Sequence, residues 1–257
     1  MYPTLFISHG SPALCIEQYE TAEFLKKLSQ EFSKPKYIII ISAHWCTKDL
    51  RILSKMNPDK INDFYGFPQE LFDKKYPARN DLNRVEKIVN KFEENNISII
   101  KDENRSGYDH GVWAPLSLMY PNADIPIIQI SLPIFYSAKE LMKIGEVLQD
   151  FRIDSLIIGS GTLTHNLKNS VWDSKAPVQS YAKEFRDWMI EKLEKLDIYS
   201  LENFISLAPK LTDNHPTLDH LLPLFIAVGA SKTKKVIVLN NIYMYGNQAM
   251  DTIIFKD

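Results

Sequence analysis

Histidine is the residue type whose placement in this sequence points most directly to chemistry. Three of the six histidines, His9, His44 and His165, follow apolar runs interrupted only by Gly, Ser or other small residues. Such runs are typical of buried strands in a parallel sheet, and ligands bind beyond the carboxyl ends of such strands. Imidazoles from distant parts of the chain are therefore predicted to meet in one crevice, as a metal site or an acid–base site. Unrelated histidines at strand ends are the alternative.

Two of these histidines are candidate metal ligands, since neutral imidazole is the commonest metal ligand. His9 precedes Gly10 and Ser11 in a tight turn that lets backbone and substrate approach closely. His44 follows a strand that contains only apolar residues and Ser42. A histidine bonded to a turn carbonyl is the alternative for either position, although it is awkward for both together.

A second pair of histidines lies in the C-terminal part of the chain. Pro216 predicts the start of a helix over 217–229. At about 100° per residue, His215 and His220 lie about 140° apart around such a helix, so both cannot contact one metal ion. His220 continues inward with apolar neighbours and is the predicted ligand, while His215 caps the helix or supports the site. Asp219 is the rival ligand, and a supporting carboxylate is its preferred role.

Two further positions suggest proton chemistry. Asp109 or His110 is predicted to cap the helix that carries Trp113, where the helix dipole favours a neutral imidazole able to hydrogen-bond to a substrate; plain capping is the alternative. His165 follows a Gly-Ser-Gly run that matches neither a dinucleotide-binding loop nor a Walker loop, nor a nucleophile elbow. The glycines give room at a strand end, so His165 is a candidate ligand or general base.

The elements that must position these residues alternate between strand and helix. Strands are predicted at 4–8, 37–43, 97–100, 125–132, 155–159, 235–240 and 251–255. Helices are predicted at 20–33, 68–75, 82–95, 113–120, 138–151, 178–195, 201–207 and 217–229. This alternation predicts a single α/β domain over 1–257, with a central, largely parallel or mixed sheet flanked by helices on both faces. The aromatic segment 55–76 is predicted to be a structured loop whose rings wall a pocket or pack among themselves.

Composition and charge argue against several classes of function. A formal net charge of -2 gives no electrostatic reason to bind nucleic acid or an anionic membrane. No stretch approaches the ~20 apolar residues that span a bilayer, and no leader-like segment is recognised. Cys15 and Cys46 do not suggest a disulfide framework. We therefore expect a cytoplasmic protein with free thiols and no nucleic-acid or membrane partner, with a homo-oligomer left open.

Five motifs, taken together and in order, resemble the class III extradiol ring-cleavage dioxygenases. They are residues 8–12 (SHGSP), 42–45 (SAHW), 109–113 (DHGVW), 159–167 (GSGTLTHNL) and 217–224 (TLDHLLPL). The branch that the sequence resembles most is the 4,5-DOPA dioxygenase group, relatives of the catalytic subunit of protocatechuate 4,5-dioxygenase. The resemblance spans nearly the whole chain and implies a mixed α/β sandwich around a central sheet.

The resemblance also assigns roles to residues. It implies that one divalent metal ion is held by His9, His44 and His220. His165 is expected to be the active-site base, close enough to the ion to serve as a fourth ligand, and His110 a substrate-facing acid or hydrogen-bond donor. Substrate contacts are expected from Gly10, Ser11, Trp113 and Asn166.

The implied reaction is the insertion of O2 into a small aromatic diol, a DOPA-like catechol, to give a ring-opened semialdehyde. Non-haem Fe(II) oxygenases usually combine two histidines with a carboxylate, whereas this chain offers three or four histidines and no motif-matched carboxylate. Because an all-nitrogen set suits Zn(II) at least as well, we expect Fe(II) for turnover or Zn(II) in the purified protein. The alternatives are a zinc-dependent hydrolase and a non-catalytic metal-binding protein on the same scaffold.

Overall fold

Strands and helices alternate through most of the chain, as the apolar runs predict. The computed structural model describes residues 1–173, 175–232 and 235–257. Within these residues the strands are β1 (Thr4–Ser8), β2 (Tyr37–Thr47), β3 (Arg51–Leu53), β4 (Asp59–Lys60), β5 (Ile100–Asp102), β6 (Gly107–Tyr108), β7 (Ile127–Pro133), β8 (Ser155–Gly161), β9 (Lys235–Leu239), β10 (Tyr243–Met244), β11 (Gln248–Ala249) and β12 (Thr252–Lys256).

The α-helices cover both faces of the main sheet. They are α1 (Glu20–Leu28), α2 (Gln69–Asp73), α3 (Leu82–Glu94), α4 (His110–Met119), α5 (Ala138–Leu148), α6 (Ser180–Glu194), α7 (Ile198–Glu202), α8 (Phe204–Leu207), α9 (Leu211–Asn214) and α10 (Pro223–Gly229). Short 3₁₀-helices cover Pro12–Cys15, Ser29–Glu31, Gln149–Ile153 and Leu167–Asn169. None of the helices in the described part of the chain combines the length and apolar character needed to cross a bilayer.

An eight-stranded mixed sheet forms the centre, in the order β5-β3-β7-β2-β8-β1-β12-β9. The strands β7, β2, β8 and β1 are parallel to their neighbours in this group, while β12 and β9 add antiparallel pairs at one side. Every residue of β8 is buried, as expected for a parallel strand covered on both faces. The predicted α/β class with a mixed sheet is confirmed.

Alternation along β2 divides the core into two layers. Ile39 and Ile41 pack in the layer that includes α3, α5, α6 and α10, whereas Ile38 and Ile40 pack in the layer with α1 and α4. Successive side chains of a strand point to opposite faces, so one apolar run supplies both layers. The parallel strands β1, β2 and β8 therefore lie between two apolar layers, and their carboxyl ends share one edge.

Several boundaries differ from the sequence prediction. The helix predicted over 217–229 is wrong in its first half: residues 216–222 form turns and bends, and α10 begins at Pro223. Proline is favoured at a helix start because the first N–H groups of a helix have no acceptor within it, so the N–H that proline lacks is not needed. The chain offers two such prolines, Pro216 and Pro223, and the second one begins the helix. His215 and His220 therefore do not share a helix.

The other differences are smaller. The helix predicted over 20–33 ends at Leu28 and continues as a 3₁₀ turn, and the one predicted over 201–207 is split into α7 and α8. The strand predicted over 97–100 lies at Ile100–Asp102. The strand predicted to end at residue 43 continues to Thr47, with a register irregularity between Ile41 and Cys46. The sequence does not predict the short strands β3, β4, β6, β10 and β11, because a strand of two or three residues is too short to show a periodic pattern.

Candidate metal centre

The structure brings five of the six histidines of the chain to one edge of the sheet. His9 directly follows β1 and His44 lies in β2 beyond its last pair with β8, Ser42 with Ser160. The ring centroid of His44 is 5.0 Å from that of His9, 3.9 Å from that of His110 and 4.9 Å from that of His220. His165 follows β8 and stacks on His220 with 3.6 Å between the ring centroids.

Ring nitrogens of His9 and His44 lie within hydrogen-bond distance of each other. Their Nε2 atoms lie 3.1 Å apart. Two nitrogens that bind one ion at about 2.0–2.1 Å in tetrahedral geometry are about 3.3 Å apart, so this spacing fits a shared ion. The ring of His220 lies beside both. One ring nitrogen from each of His9, His44 and His110 also falls within 4.8 Å of the others. The described imidazoles thus form a nitrogen cluster that could hold a metal ion, with His110 and His220 both near the first two.

Hydrogen bonding fixes the tautomer of His9. Its Nδ1 lies 2.9 Å from Oγ of Ser160, and that hydroxyl donates its only proton to the carbonyl of Gly111 at 2.6 Å. The Ser160 oxygen must therefore accept from His9, which places the imidazole proton on Nδ1. Nε2 is left with a free lone pair that faces His44.

His220 is oriented by its neighbour in sequence and by the end of β8. Its Nδ1 donates to Oδ2 of Asp219 at 2.6 Å, so Nε2 is again unprotonated in the neutral ring. The backbone carbonyl of His220 accepts from N of Thr162 at 2.9 Å. A Cβ added at Gly161 would lie 2.0 Å from that carbonyl oxygen, so only glycine permits this approach. Asp219 occupies the supporting position expected for it.

Asp63 lies beside the other two imidazoles. Its Oδ2 accepts from Nδ1 of His110 at 2.9 Å and lies 3.4 Å from Nδ1 of His44. Its Oδ1 accepts from the backbone N–H of His110, the first residue of α4, at 3.0 Å. Burial raises the pKa of Asp63, but the hydrogen bonds and charge of His110 outweigh burial and lower the pKa to about 2.

A buried polar network holds the backbone of His44. Ser42 Oγ accepts from N of His44 at 3.1 Å and donates to Oδ1 of Asp109 at 2.6 Å. The other oxygen of Asp109 accepts from Arg105 at 2.7 Å and from Gln129 at 2.6 Å. Asp109 occupies the N-cap position of α4 but makes no side-chain cap bond, because its oxygens are used in this network.

Burial keeps four of the clustered imidazoles neutral, those of His9, His44, His165 and His220. Desolvation, with the charges of neighbouring rings, lowers the pKa of His9 well below its ordinary value and that of His44 to about 3. For the same reasons the pKa of His165 falls to about 3. Burial lowers the pKa of His220 to about 4, although the hydrogen bond to Asp219 opposes this change. Each of these rings therefore carries a free lone pair at neutral pH, which is the form that binds metals.

A cavity of about 510 Å³ opens beside the cluster. His44, His110, His165 and His220 line it, together with the turn at Gly10 and Ser11 and with aromatic side chains from three loops. The lining aromatic residues are Phe64, Tyr65, Phe67, Trp172 and Tyr245. Phe64 also packs against Phe67 and Phe72. The aromatic loop therefore both walls the cavity and packs its rings against one another. A flat, partly apolar molecule fits such walls.

Two of the residues expected to contact substrate, Trp113 and Asn166, are buried and hydrogen-bonded to the backbone of other segments. Trp113 is fully buried in the core layer of α4, and its Nε1 donates to the carbonyl of Ile61 at 2.9 Å. Asn166 is buried and its side chain donates to the carbonyl of Asp213 at 2.6 Å. Neither residue is among those that line the cavity. Direct contact of these two residues with substrate stays a prediction.

His215 points away from the cluster, as predicted, but for a different reason. Its Nε2 donates to the carbonyl of Leu163 at 2.9 Å, and its ring packs against that of Phe185 with 5.3 Å between centroids. Full burial lowers the pKa of His215 to about 4. Its Nδ1 has no hydrogen-bond partner among the described residues. Packing in the core, rather than helical geometry, separates His215 from His220.

Sequence reasoning missed Asp63 and the loop residues Trp172 and Tyr245. Asp63 stands directly before the aromatic run 64–68, which is the one signal that could have marked it. Ser42 and Ser160 could also have indicated the polar network around the histidines. Each is a hydroxyl in an otherwise apolar strand, and a buried hydroxyl requires a hydrogen-bond partner.

Comparisons with known proteins agree with this geometry. The family model "Catalytic LigB subunit of aromatic ring-opening dioxygenase" matches residues 3–254. A 4,5-DOPA dioxygenase extradiol of Escherichia coli (strain K12) is 31% identical over 232 residues, covering 89% of this chain and 84% of that protein. The protein of the same name from Beta vulgaris is 33% identical, covering 89% of this chain and 86% of that protein. A crystal structure of protein JW3007 from Escherichia coli K12 superposes with a TM-score of 0.84 at 25% identity and full coverage of both chains.

Proposed function

The chain belongs to the family of the catalytic LigB subunit of aromatic ring-opening dioxygenases, and we propose that it is an extradiol dioxygenase acting on a catechol. The substrates are a small, DOPA-like aromatic diol and O2, and the product is a ring-opened semialdehyde. The family match, the relatives named 4,5-DOPA dioxygenase extradiol and the histidine-lined cavity support this proposal.

The observation that carries the proposal is the pair of facing nitrogens in His9 and His44. With the proton of His9 on Nδ1, its Nε2 lone pair faces Nε2 of His44 across 3.1 Å. Two buried lone pairs at this distance repel unless a proton or a cation lies between them. Without a metal ion, the Nε2–H of a neutral His44 can supply that proton. When His44 carries its proton on Nδ1 instead, both lone pairs are directed at one point, so the donor set fits a metal ion.

We assign the ion to His9, His44 and His220, with His165 close enough to serve as a fourth ligand. His110 is the competitor for the third position, since one of its nitrogens also lies near His9 and His44. When bound, a divalent ion, Fe(II) for turnover or Zn(II) in the purified protein, supplies a Lewis acid that increases the acidity of the catechol hydroxyls, and iron adds redox chemistry with O2.

His165 is the proposed base. Its ring is neutral at physiological pH and lies on the cavity wall, so a free nitrogen is available to a substrate hydroxyl. A pKa of about 3 makes this imidazole a weak base toward an ordinary phenol. It can therefore accept the proton only from a hydroxyl whose acidity has been increased. Positioned general bases contribute about 10²–10⁴-fold to rate.

His110 is the proposed second proton-transfer residue. Nδ1 of His110 donates to Asp63, so its Nε2 can accept a hydrogen bond from a substrate hydroxyl. A proton that this nitrogen takes from the substrate can be returned to an oxygen of the opening ring. The turn at Gly10 and Ser11 and the aromatic walls orient the ring and exclude water.

One experiment tests the proposed reaction. Metal-free protein is loaded with Fe(II) under anaerobic conditions, mixed with a panel of catechols and exposed to O2. We expect O2 uptake in step with a yellow ring-opened product, and neither signal from His44→Ala protein treated in the same way. Absence of uptake with every catechol, despite stoichiometric iron, contradicts the proposal.

A zinc-dependent hydrolase is the second candidate, favoured by the all-imidazole donor set. Zinc-loaded protein is offered activated esters and amides in the same buffer. Hydrolysis that requires zinc, together with no O2 uptake by the iron form, identifies this candidate. Metal binding without either activity identifies a non-catalytic metal-binding protein.

A further inference from the structure

Asp63 is unusual among the residues around the cluster because one carboxylate faces two imidazoles. Its Oδ2 lies 2.9 Å from Nδ1 of His110 and 3.4 Å from Nδ1 of His44. We propose that Asp63 is a positioning residue: it holds His110 in the tautomer with a free Nε2, and it stabilises the same tautomer of His44 when a metal ion binds. This inference rests on the proposed function for its consequences in metal binding, but the tautomers can be measured without turnover.

The chemistry of the carboxylate sets the direction of both contacts. An ionised carboxylate only accepts hydrogen bonds, so a ring nitrogen that faces it is favoured as N–H. An unprotonated Nδ1 would instead bring its lone pair against a negatively charged oxygen. His44 can donate its Nε2–H to Nε2 of His9 when no metal ion is present. When a metal ion replaces that proton, the proton of His44 lies on Nδ1 and faces Asp63. The same oxygen orients His110 on the cavity wall.

The segment that carries Asp63 is anchored to the elements that carry these histidines. β4 pairs with β6, and N of Ile61 donates to the carbonyl of Tyr108 at 2.8 Å. On the other side, Nε1 of Trp113 in α4 donates to the carbonyl of Ile61 at 2.9 Å. Asp63 Oδ1 adds a third tie through the backbone N–H of His110. The carboxylate is thus held before any ligand arrives, as an orienting group must be.

This arrangement connects the substrate wall with the metal cluster. Phe64, which directly follows Asp63, lines the cavity and lies edge-on to His110 with 5.9 Å between ring centroids. A displacement of the aromatic loop would therefore move the carboxylate that orients His44. Through its contacts with His44 and His110, Asp63 affects both the affinity for metal and the orientation of the proposed proton-transfer ring.

Substitution of Asp63 by Asn tests the role directly. The amide keeps the size of the side chain but has one accepting oxygen and one donating NH2 group. It can satisfy the Nδ1–H of one ring, while its NH2 group drives the other ring to the Nε2–H tautomer. A protonated Nε2 cannot bind a metal, so we expect D63N to bind Zn(II) about 10–100-fold more weakly. Asp73→Asn, an exposed carboxylate of α2, makes the same charge change and should leave affinity unaltered.

The decisive measurement is the tautomer of each ring in protein labelled with ¹⁵N-histidine, recorded metal-free and with one equivalent of Zn(II). Long-range ¹H–¹⁵N spectra of the unmodified protein at constant pH should show Nδ1–H for His110 in both samples and for His44 in the zinc-bound sample. Assignments come from His44→Gln and His110→Gln variants. In D63N at least one of these Nδ1–H signals should be lost. Zinc affinity is measured in parallel by competition with a chelator.

The outcomes separate this inference from the proposed function. Nε2–H in His110 of the unmodified protein, or the absence of Nδ1–H in its zinc-bound His44, overturns the role of Asp63 even if D63N fails to fold. A folded D63N whose zinc affinity is unchanged does so as well. If the tautomers are as expected and D63N loses zinc, the role stands whether or not catechols are cleaved. Absence of metal binding by the unmodified protein counts against the proposed function, and the tautomer of metal-free His110 still decides on Asp63.

Discussion

The imidazole rings of His165 and His220 stack face to face, with centroids 3.6 Å apart and planes inclined by 6°. Each ring is fixed from its own side, because the backbone N–H of His165 donates to the carbonyl of Asn214 and Nδ1 of His220 donates to Asp219. The proposed base therefore rests on a proposed metal ligand. Loss of His220 should disturb both functions, whereas loss of the His165 ring should leave the ligands in place.

The first prediction separates the base from the ligands. His165→Ala or His165→Phe should retain most of the metal but lose about 10²–10⁴-fold in kcat, because the ring acts on a proton in the transition state. His44→Ala should purify with little metal. Metal analysis beside single-turnover kinetics distinguishes the two effects. Equal loss of metal in both variants would show that His165 is an essential ligand rather than the base.

The second prediction concerns the third ligand. His220→Ala should lose metal, whereas His110→Ala should keep it and lose turnover. His215→Ala should keep metal as well, since that ring bonds to Leu163 and packs against Phe185. Metal content after dialysis against a weak chelator is the measurement. Loss in His110→Ala and retention in His220→Ala would transfer the ligand role to His110.

The third prediction concerns stability as a function of pH. Burial lowers the pKa of His215 to about 4, below its ordinary value of about 6.5. The unfolded chain therefore takes up the proton first, and stability that is present above about pH 6.5 is lost as the pH falls toward 4. One such group contributes a slope of up to about 1.4 kcal/mol per pH unit. Urea unfolding of metal-free protein at pH 7 and pH 5 measures it.

His215→Gln is the comparison for this measurement. Glutamine can still donate to the carbonyl of Leu163 but does not titrate in this range. The variant should lose less stability between pH 7 and pH 5 than the unmodified protein. Parallel losses in the two proteins would mean that the neutral His215 ring is not the cause.

Much of the architecture was predictable because the apolar runs are long and their period is clear. The runs at β1, β2 and β8 predicted the parallel centre of the sheet, and His9, His44 and His165 were predicted at its edge from their positions after these runs. The turn that carries His220 was not predicted, because Pro216 and Pro223 give the same local signal. Tertiary packing of α10 against α5 and β8 favours the second proline.

The role of Asp63 could not be predicted from local sequence. Its position depends on the pairing of β4 with β6, two-residue strands separated by more than 40 positions in the chain. Such pairing is a tertiary effect with no periodic signature. Trp172 was missed for a related reason: it lies in an irregular segment and reaches the cavity wall beside Tyr245, with 4.9 Å between ring centroids. Residues on loops contribute to sites through the fold that positions them.

The last prediction tests the contact between the end of β8 and the His220 turn. The carbonyl of Gly161 accepts from N of His9 at 3.0 Å, and an added Cβ would lie 2.0 Å from the carbonyl oxygen of His220. Gly161→Ala must therefore displace the turn that carries His220 relative to His9. We expect a loss of about 1–3 kcal/mol in the free energy of unfolding, which is typical of overpacking, and a clear loss of metal affinity.

Gly229→Ala is the matched control. Gly229 lies at the end of α10 far from His220, and an added Cβ would lie 1.9 Å from the carbonyl oxygen of Met142 in α5. That variant should lose comparable stability but keep its affinity for metal, because neither His9 nor the His220 turn is involved. Urea unfolding and chelator competition on both proteins give the two quantities. Equal loss of affinity in the two variants would mean that general destabilisation, rather than displacement of His220, weakens the site.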